Sequence, residues 1–328
     1  MYKFLIKQLA RSDQSAKLLI FNFHNILPDD DNSSCQGISV SCFEQQVLWL
    51  KKHFEILPLQ KAIADCRAGK LIKPTACITF DDGYKSHATI AAPILKKHGA
   101  SASFYVSSGH LNDVLLWNDW LYLFFKHVKT MDWTEFHNIV TVQCELSSEQ
   151  SKQLNRSQLE SLVKYLPLAK RKKVIEVIQT FIPQEFVPTL MMSESDVRWL
   201  KNEGFEIGSH TLEHPILAKE TKEEAERQIT RDIGNLSEIL SEPVLSFAFP
   251  NGKPQFDYHS FHTSVLARNR IKVGLSSAIG HFSPGYDPMQ VSRVCLYGDS
   301  ELGFLRSVIS AYRSSLTIIN SRGYEKAD

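Results

Sequence analysis

His210 and His214, four residues apart in IGSHTLEHP (207–215), can converge on one ion if the chain turns helically after Gly208 and Ser209. Two neutral imidazoles plus one carboxylate leave a position open, the pattern of a catalytic rather than a structural zinc. The competing reading is a pair of ordinary surface or core histidines, because the chain holds 12 histidines and this spacing arises by chance. A carboxylate source lies in ITFDDGY (78–84), where Asp81 and Asp82 close an apolar run. Adjacent carboxylates there repel each other and resist burial, so a cation or strong hydrogen bonds must offset the cost. Neighbours on a strand point to opposite sides, but Gly83 permits a turn that brings both into one site. One would bind the ion and the other serve as base. A solvent-facing Asp-Asp-Gly hairpin turn is the alternative; it is weakened because helix-like SHATIAAPILKKHG follows instead of a return strand.

Positioning such groups is the work of the elements around them. Short β-rich apolar runs alternate with helix-length amphipathic ones, which predicts βα units around a parallel sheet or barrel. Strands are expected at 18–24, 76–82, 101–107, 205–211, 245–250, 272–278 and 289–296, apolar enough to be covered on both faces. Ser41 with Glu44 reads as a capping box opening a helix to Phe54, and Thr221 with Glu224 opens one to about Leu240. Gly99 and Gly204 sit where helices should end. Residues 112–192 carry helix-like runs and no convincing strand, which predicts a helical insertion on one βα connection of a single domain spanning 1–328. Within it the run Lys170–Lys173 (KRKK) reads as a solvated helix face, with contact to an anionic lipid or lipid-linked glycan as the alternative.

Composition narrows the class. The 328 residues are 43% hydrophobic, and 37 basic against 36 acidic side chains give a net charge of +1, so no whole-molecule field draws in nucleic acid. No apolar run reaches the roughly 18 residues of a bilayer span, and Lys7, Gln8 and Arg11 interrupt the only early apolar cluster, so no signal peptide is read. Six cysteines without a CxxC pair suit reduced thiols. A cytoplasmic protein is expected, with peripheral membrane contact left open. No GxSxG elbow and no glycine-rich phosphate motif is present, which disfavours serine hydrolysis and nucleotide chemistry.

ITFDDGY, IGSHTLEHP and FAFPNG (247–252) each stand at a strand's end, where a barrel presents its active site. In this order the three resemble the polysaccharide deacetylases of the NodB type, carbohydrate esterase family four. The resemblance implies an α/β fold, a distorted seven-stranded (β/α) barrel. It also implies one divalent metal, Zn2+ before Co2+ or Ni2+, held by Asp82, His210 and His214, with Asp81 as general base and the backbone N–H of Tyr84 at the oxyanion. Phe249, Pro250, Asn251 and Gly252 are expected to shape the wall of a sugar groove. Trp117 could join them from the insertion, although Trp117 and Trp120 read first as core anchors of its helices.

The chain departs from the usual family pattern twice. No Leu-x-His segment follows residue 252, and FNFH (21–24) instead resembles the permuted poly-N-acetylglucosamine deacetylases, which assigns His24 as general acid with His281 as its competitor. Ala248 stands where an arginine usually orients the base, and Arg293 in VSRVCL is the candidate replacement, against the alternative of a surface ion pair. The expected function is a metal-dependent hydrolase removing N-acetyl groups from an N-acetylated sugar of a polysaccharide or glycan precursor. Alternatives are a hydrolase of a non-sugar amide or imide on the same metal, and an inactive glycan-binding protein.

Overall fold

The computed structural model describes residues 2–11, 16–30, 37–128, 133–147, 149, 156–296 and 300–314. Seven strands overlap the expected runs: β1 (Leu18–Phe23), β2 (Thr75–Phe80), β3 (Ser103–Val106), β4 (Glu206–Ser209), β5 (Ser246–Ala248), β6 (Val273–Ile279) and β7 (Val291–Cys295), with β2 starting one residue early and β6 ending one residue late. All pair in parallel in the order β1-β7-β6-β5-β4-β3-β2, and β1 pairs again with β2, from Leu18↔Thr75 to Phe23↔Phe80, so the sheet closes into a barrel. Closure pairs each of the seven strands on both sides, and the two-residue strand Glu55–Ile56 adds to the start of β2.

Alternation along the strands sorts the side chains. Leu18, Ile20, Cys77, Tyr105, Ala248, Leu275 and Val291 share a buried cluster inside the barrel, closed off by Leu59, Ala62 and Ile63 of the helix Leu59–Arg67. The intervening Leu19, Phe21, Phe23, Ile78, Phe80, Phe104 and Phe247 pack outward against helix residues such as Val47, Leu200, Ile229 and Phe304. This two-sided burial is why the strands read as unbroken apolar runs. The same period of two carries Asn22 (two past Ile20), Asp81 (four past Cys77) and Arg293 (two past Val291) onto the inner face at the barrel mouth.

Helix α1 (Val40–His53) starts two residues earlier than expected. Ser39, not Ser41, is its cap, accepting from the Cys42 N–H at 3.3 Å, while Ser41 N donates to Asp29 and Glu44 instead pairs with Lys97 and His98. Among the described residues of 112–192, where an insertion was expected, lie the helices α2 (Trp117–His127), α3 (Trp133–Cys144), α4 (Arg156–Lys164) and α5 (Leu168–Thr180). They build their own core from Leu121, Phe124, Phe136, Val140, Val163, Val174 and Ile178, which Tyr84 and Met191 join to the segment after β2. Helix α6 (Lys222–Leu240) opens on Thr221, which accepts from Glu224 N at 3.2 Å, and α7 (Ser260–Arg268) and α8 (Glu301–Arg313) complete the surround. Among the described residues the five cysteines form no disulfide, and Cys35 lies outside them. Among the described residues no helix is long and apolar enough to cross a membrane.

Candidate metal centre

The turn after β2 is made by two left-handed residues, Asp82 (φ 82°) and Gly83 (φ 87°), and it brings both carboxylates into one site. Asp82 Oδ1 lies 3.4 Å from His210 Nε2 and 3.3 Å from His214 Nε2. The three are buried, and their ligand atoms all lie within 4.8 Å of one another. His210 Nδ1 donates to the Ala248 carbonyl at 2.7 Å, which turns Nε2 toward Asp82. One carboxylate and two imidazoles with converging ligand atoms are a donor set that fits a divalent ion.

The segment carrying the histidines does not make the helical turn that their spacing predicts. Thr211 (φ 66°) and His214 (φ 52°) are left-handed instead, and the irregular loop between them brings the two rings to 5.0 Å. Helix α6 holds this loop: Asp232 accepts from His210 N at 3.1 Å and Ser209 Oγ at 2.5 Å, and Gln228 Oε1 accepts from Glu213 N at 2.8 Å. Burial alone would raise the Asp82 pKa, but hydrogen bonds from the two imidazoles hold it well below the usual carboxylate range. Burial pushes the His214 imidazole down to about 4, whereas Asp81 and Asp82 outweigh burial at His210 and raise it.

Asp81 sits beside this triad in a fork of donors. Arg293 Nη1 lies 2.7 Å from Oδ1 and Nη2 2.7 Å from Oδ2, while Asn22 Nδ2 donates to Oδ2 at 3.0 Å. Arg293 is anchored in turn by the Ser276 carbonyl and Asn22 Oδ1. Burial raises the Asp81 pKa, but the guanidinium outweighs it and holds the carboxyl below its ordinary value. His24 Nε2 stands 4.0 Å from Asp81 Oδ2, and its side chain is 50% exposed at the mouth. His281 lies elsewhere, with Nδ1 against the Ala311 carbonyl and its ring beside Tyr286 and Tyr312.

A cleft of about 400 Å³ opens over these groups. Asn251 and Trp117 line it, Trp117 also packing on the core of helices α2 to α5. Phe249 and Pro250 do not face it: both are buried, and Phe249 stacks on Tyr258 at 3.7 Å because its place on the strand points away from the barrel interior. Gly252 (φ 70°) is buried too and serves the turn, since a Cβ there would lie 2.9 Å from Phe249 O and Ser277 N. The Tyr84 ring is buried, its hydroxyl donating to Asp119 Oδ1 at 3.2 Å. Burial, reinforced by the charge of Asp82, pushes the Asp119 carboxyl up to about 7.

Sequence reasoning missed Asn22, although its place two residues before His24 on one strand put both on the same face. It also missed Asn118, Glu160, Ser161 and Lys164, which the insertion contributes to the cleft. Nothing in their spacing sets them apart from an ordinary helix surface.

A family model described as Polysaccharide deacetylase matches residues 68–267. Among curated proteins, the poly-beta-1,6-N-acetyl-D-glucosamine N-deacetylase of Staphylococcus aureus (strain MSSA476) is 35% identical over 78 residues, 24% of this chain and 27% of that protein. The match thus spans about a quarter of the curated relative. Among solved structures, the deacetylase PplD of Streptococcus pyogenes superposes with a TM-score of 0.59 at 15% identity, covering 92% of this chain and 100% of that one. IcaB from Ammonifex degensii gives 0.57 at 19% identity, covering 90% and 98%.

Proposed function

The chain belongs to the polysaccharide deacetylase family, and from that premise we propose that it is a metal-dependent N-deacetylase of an N-acetylated sugar in a polysaccharide or glycan precursor. One observation carries the reading: the Asp82, His210 and His214 donor set shares its cleft with an Arg293-held Asp81 and an open His24. The activity in the name of the Staphylococcus aureus relative supports an N-acetylglucosamine polymer as substrate class.

Asp82, His210 and His214 would hold one divalent ion, and two imidazoles with a carboxylate favour Zn2+. When bound there it supplies Lewis acidity toward the acetyl carbonyl and lowers the pKa of a water ligand toward about 7. The protein's own groups supply the rest. Asp81, kept ionised by Arg293, accepts a proton as the water oxygen bonds to the acetyl carbon. The backbone N–H of Tyr84 meets the charge developing on the acetyl oxygen. His24, at the open side, donates a proton to the sugar nitrogen as the carbon–nitrogen bond breaks, releasing acetate and a free amine.

The test is acetate release from N-acetylglucosamine oligomers by chelator-stripped protein restored with Zn2+, Co2+ or Ni2+. The stripped protein is expected to be inactive and the restored protein active. Asp81→Asn should be slower by about 100- to 10,000-fold with its metal content retained. Metal-loaded wild type that releases no acetate from any N-acetylated glycan overturns the reading.

A further inference from the structure

The basic run Lys170–Lys173 is not wholly the solvated face that its charge predicts. Lys172 and Lys173 are exposed, but Arg171 is only 2% exposed. Its guanidinium carbon stands 5.6 Å from the centroid of the Trp117 ring. Its hydrogen bonds go to backbone: Nη2 donates to the His214 carbonyl at 2.8 Å and to the Glu213 carbonyl at 3.3 Å. Burying a guanidinium is costly, and in most folds a carboxylate offsets it. Here the charges of Glu220 and Glu213 offset only part of the cost, and the hydrogen bonds go to the carbonyls of His214 and of the residue before it.

His214 needs such a hold. Its backbone is left-handed at φ 52°, a conformation that costs a non-glycine residue free energy and persists only where its surroundings impose it. Its ring has no outer anchor either. The Nδ1 of His210 is fixed by the Ala248 carbonyl, whereas the buried Nδ1 of His214 has no hydrogen-bond partner. Metal-binding histidines are ordinarily oriented through that second nitrogen. With no partner at Nδ1, the aim of Nε2 toward Asp82 depends on the backbone that carries the ring, and Arg171 grips that backbone at the His214 carbonyl itself.

We infer that Arg171 is a positioning residue for His214, through which the helical insertion sets the affinity of the metal centre; this rests on reading Asp82, His210 and His214 as that centre. The insertion is then part of the site's construction as well as a wall of its cleft.

Co2+ binding to the full chain tests this, with affinity measured by chelator competition and ligand geometry by the visible d–d absorption. Arg171→Met is expected to raise the Co2+ Kd about 10- to 100-fold and to alter the d–d bands. Arg171→Lys, which keeps the charge and one donor, should give a smaller rise. Ile178→Val serves as control, because it loosens the same helix inside the insertion core without touching the loop. It should lower Tm and leave the Kd and the spectrum as in wild type. An Arg171→Met protein with wild-type affinity and spectrum overturns the inference, as does an Ile178→Val protein whose affinity falls equally. Should Arg171→Met not fold, a wild-type Kd in Arg171→Lys overturns it. Wild type that binds no Co2+ defeats the metal reading itself, and so is distinguished from these outcomes.

Discussion

Asp81 can act as a base only while it is ionised and aimed, and a buried carboxylate is neither by default. The Arg293 fork supplies both conditions, one nitrogen to each oxygen at 2.7 Å. Deleting the guanidinium would strand a buried charge and cost about 3–5 kcal/mol, confounding activity with unfolding. Arg293→Lys is the sharper test, since it keeps the cation but replaces a planar two-point grip with a single point. Misplacing a reacting group by about 1 Å can cost on the order of 100-fold, so a kcat loss of that size is expected with metal content unchanged. Turnover equal to wild type would show that Asp81 does not depend on the fork. Arg293 entered as a candidate because Ala248 stands where the family usually has an arginine and VSRVCL offers one from another strand end. Asn22, which bonds both Asp81 and Arg293, looked like any strand-end amide.

Elements place these residues by close approach of their loops. The Gly109 N–H donates to the carbonyl of Leu212, which lies between His210 and His214 in sequence, at 2.9 Å. A Cβ at Gly109 would stand 2.4 Å from that oxygen, which is backbone and cannot swing aside. Gly109→Ala should therefore destabilise by about 1–3 kcal/mol, read as a lower urea midpoint, and weaken metal binding in chelator competition. At Gly99 (φ 58°) a Cβ meets nothing within 4 Å, so Gly99→Ala should cost backbone strain alone, about 1 kcal/mol, and leave metal affinity untouched. Equal metal affinities in the two variants would separate the 109 loop from the site. The strands were readable because burial on both faces leaves an unbroken apolar signature. The histidine loop was not, because its left-handed turns fall on Thr211 and His214, residue types that carry no such signal.

At the scale of the whole molecule, a net charge of +1 hides buried groups whose charging opposes the fold. The insertion was readable as a strand-free stretch, but its reach into the cleft was not, because that depends on how its core docks against the Tyr84 segment. Buried histidines were equally silent in the sequence. Burial first, and the neighbouring His259 second, push the His262 imidazole from its ordinary 6.5 down to about 4. The His259 N–H donates to His262 Nδ1 at 2.8 Å, using a lone pair that only the neutral ring offers. Unfolded chain therefore binds a proton between these values that the folded chain refuses. The stabilisation is fully present above pH 6.5 and is lost as pH falls through about 4. His87, also buried and pushed down to about 4, adds in the same sense. His262→Asn removes the titration while its side-chain oxygen can still accept from the His259 N–H. In urea unfolding from pH 7 to pH 4, wild type should lose on the order of 3 kcal/mol more than this variant. Parallel stability curves would mean that the folded protein lets His262 charge as freely as the unfolded chain does, and that its acid sensitivity arises elsewhere.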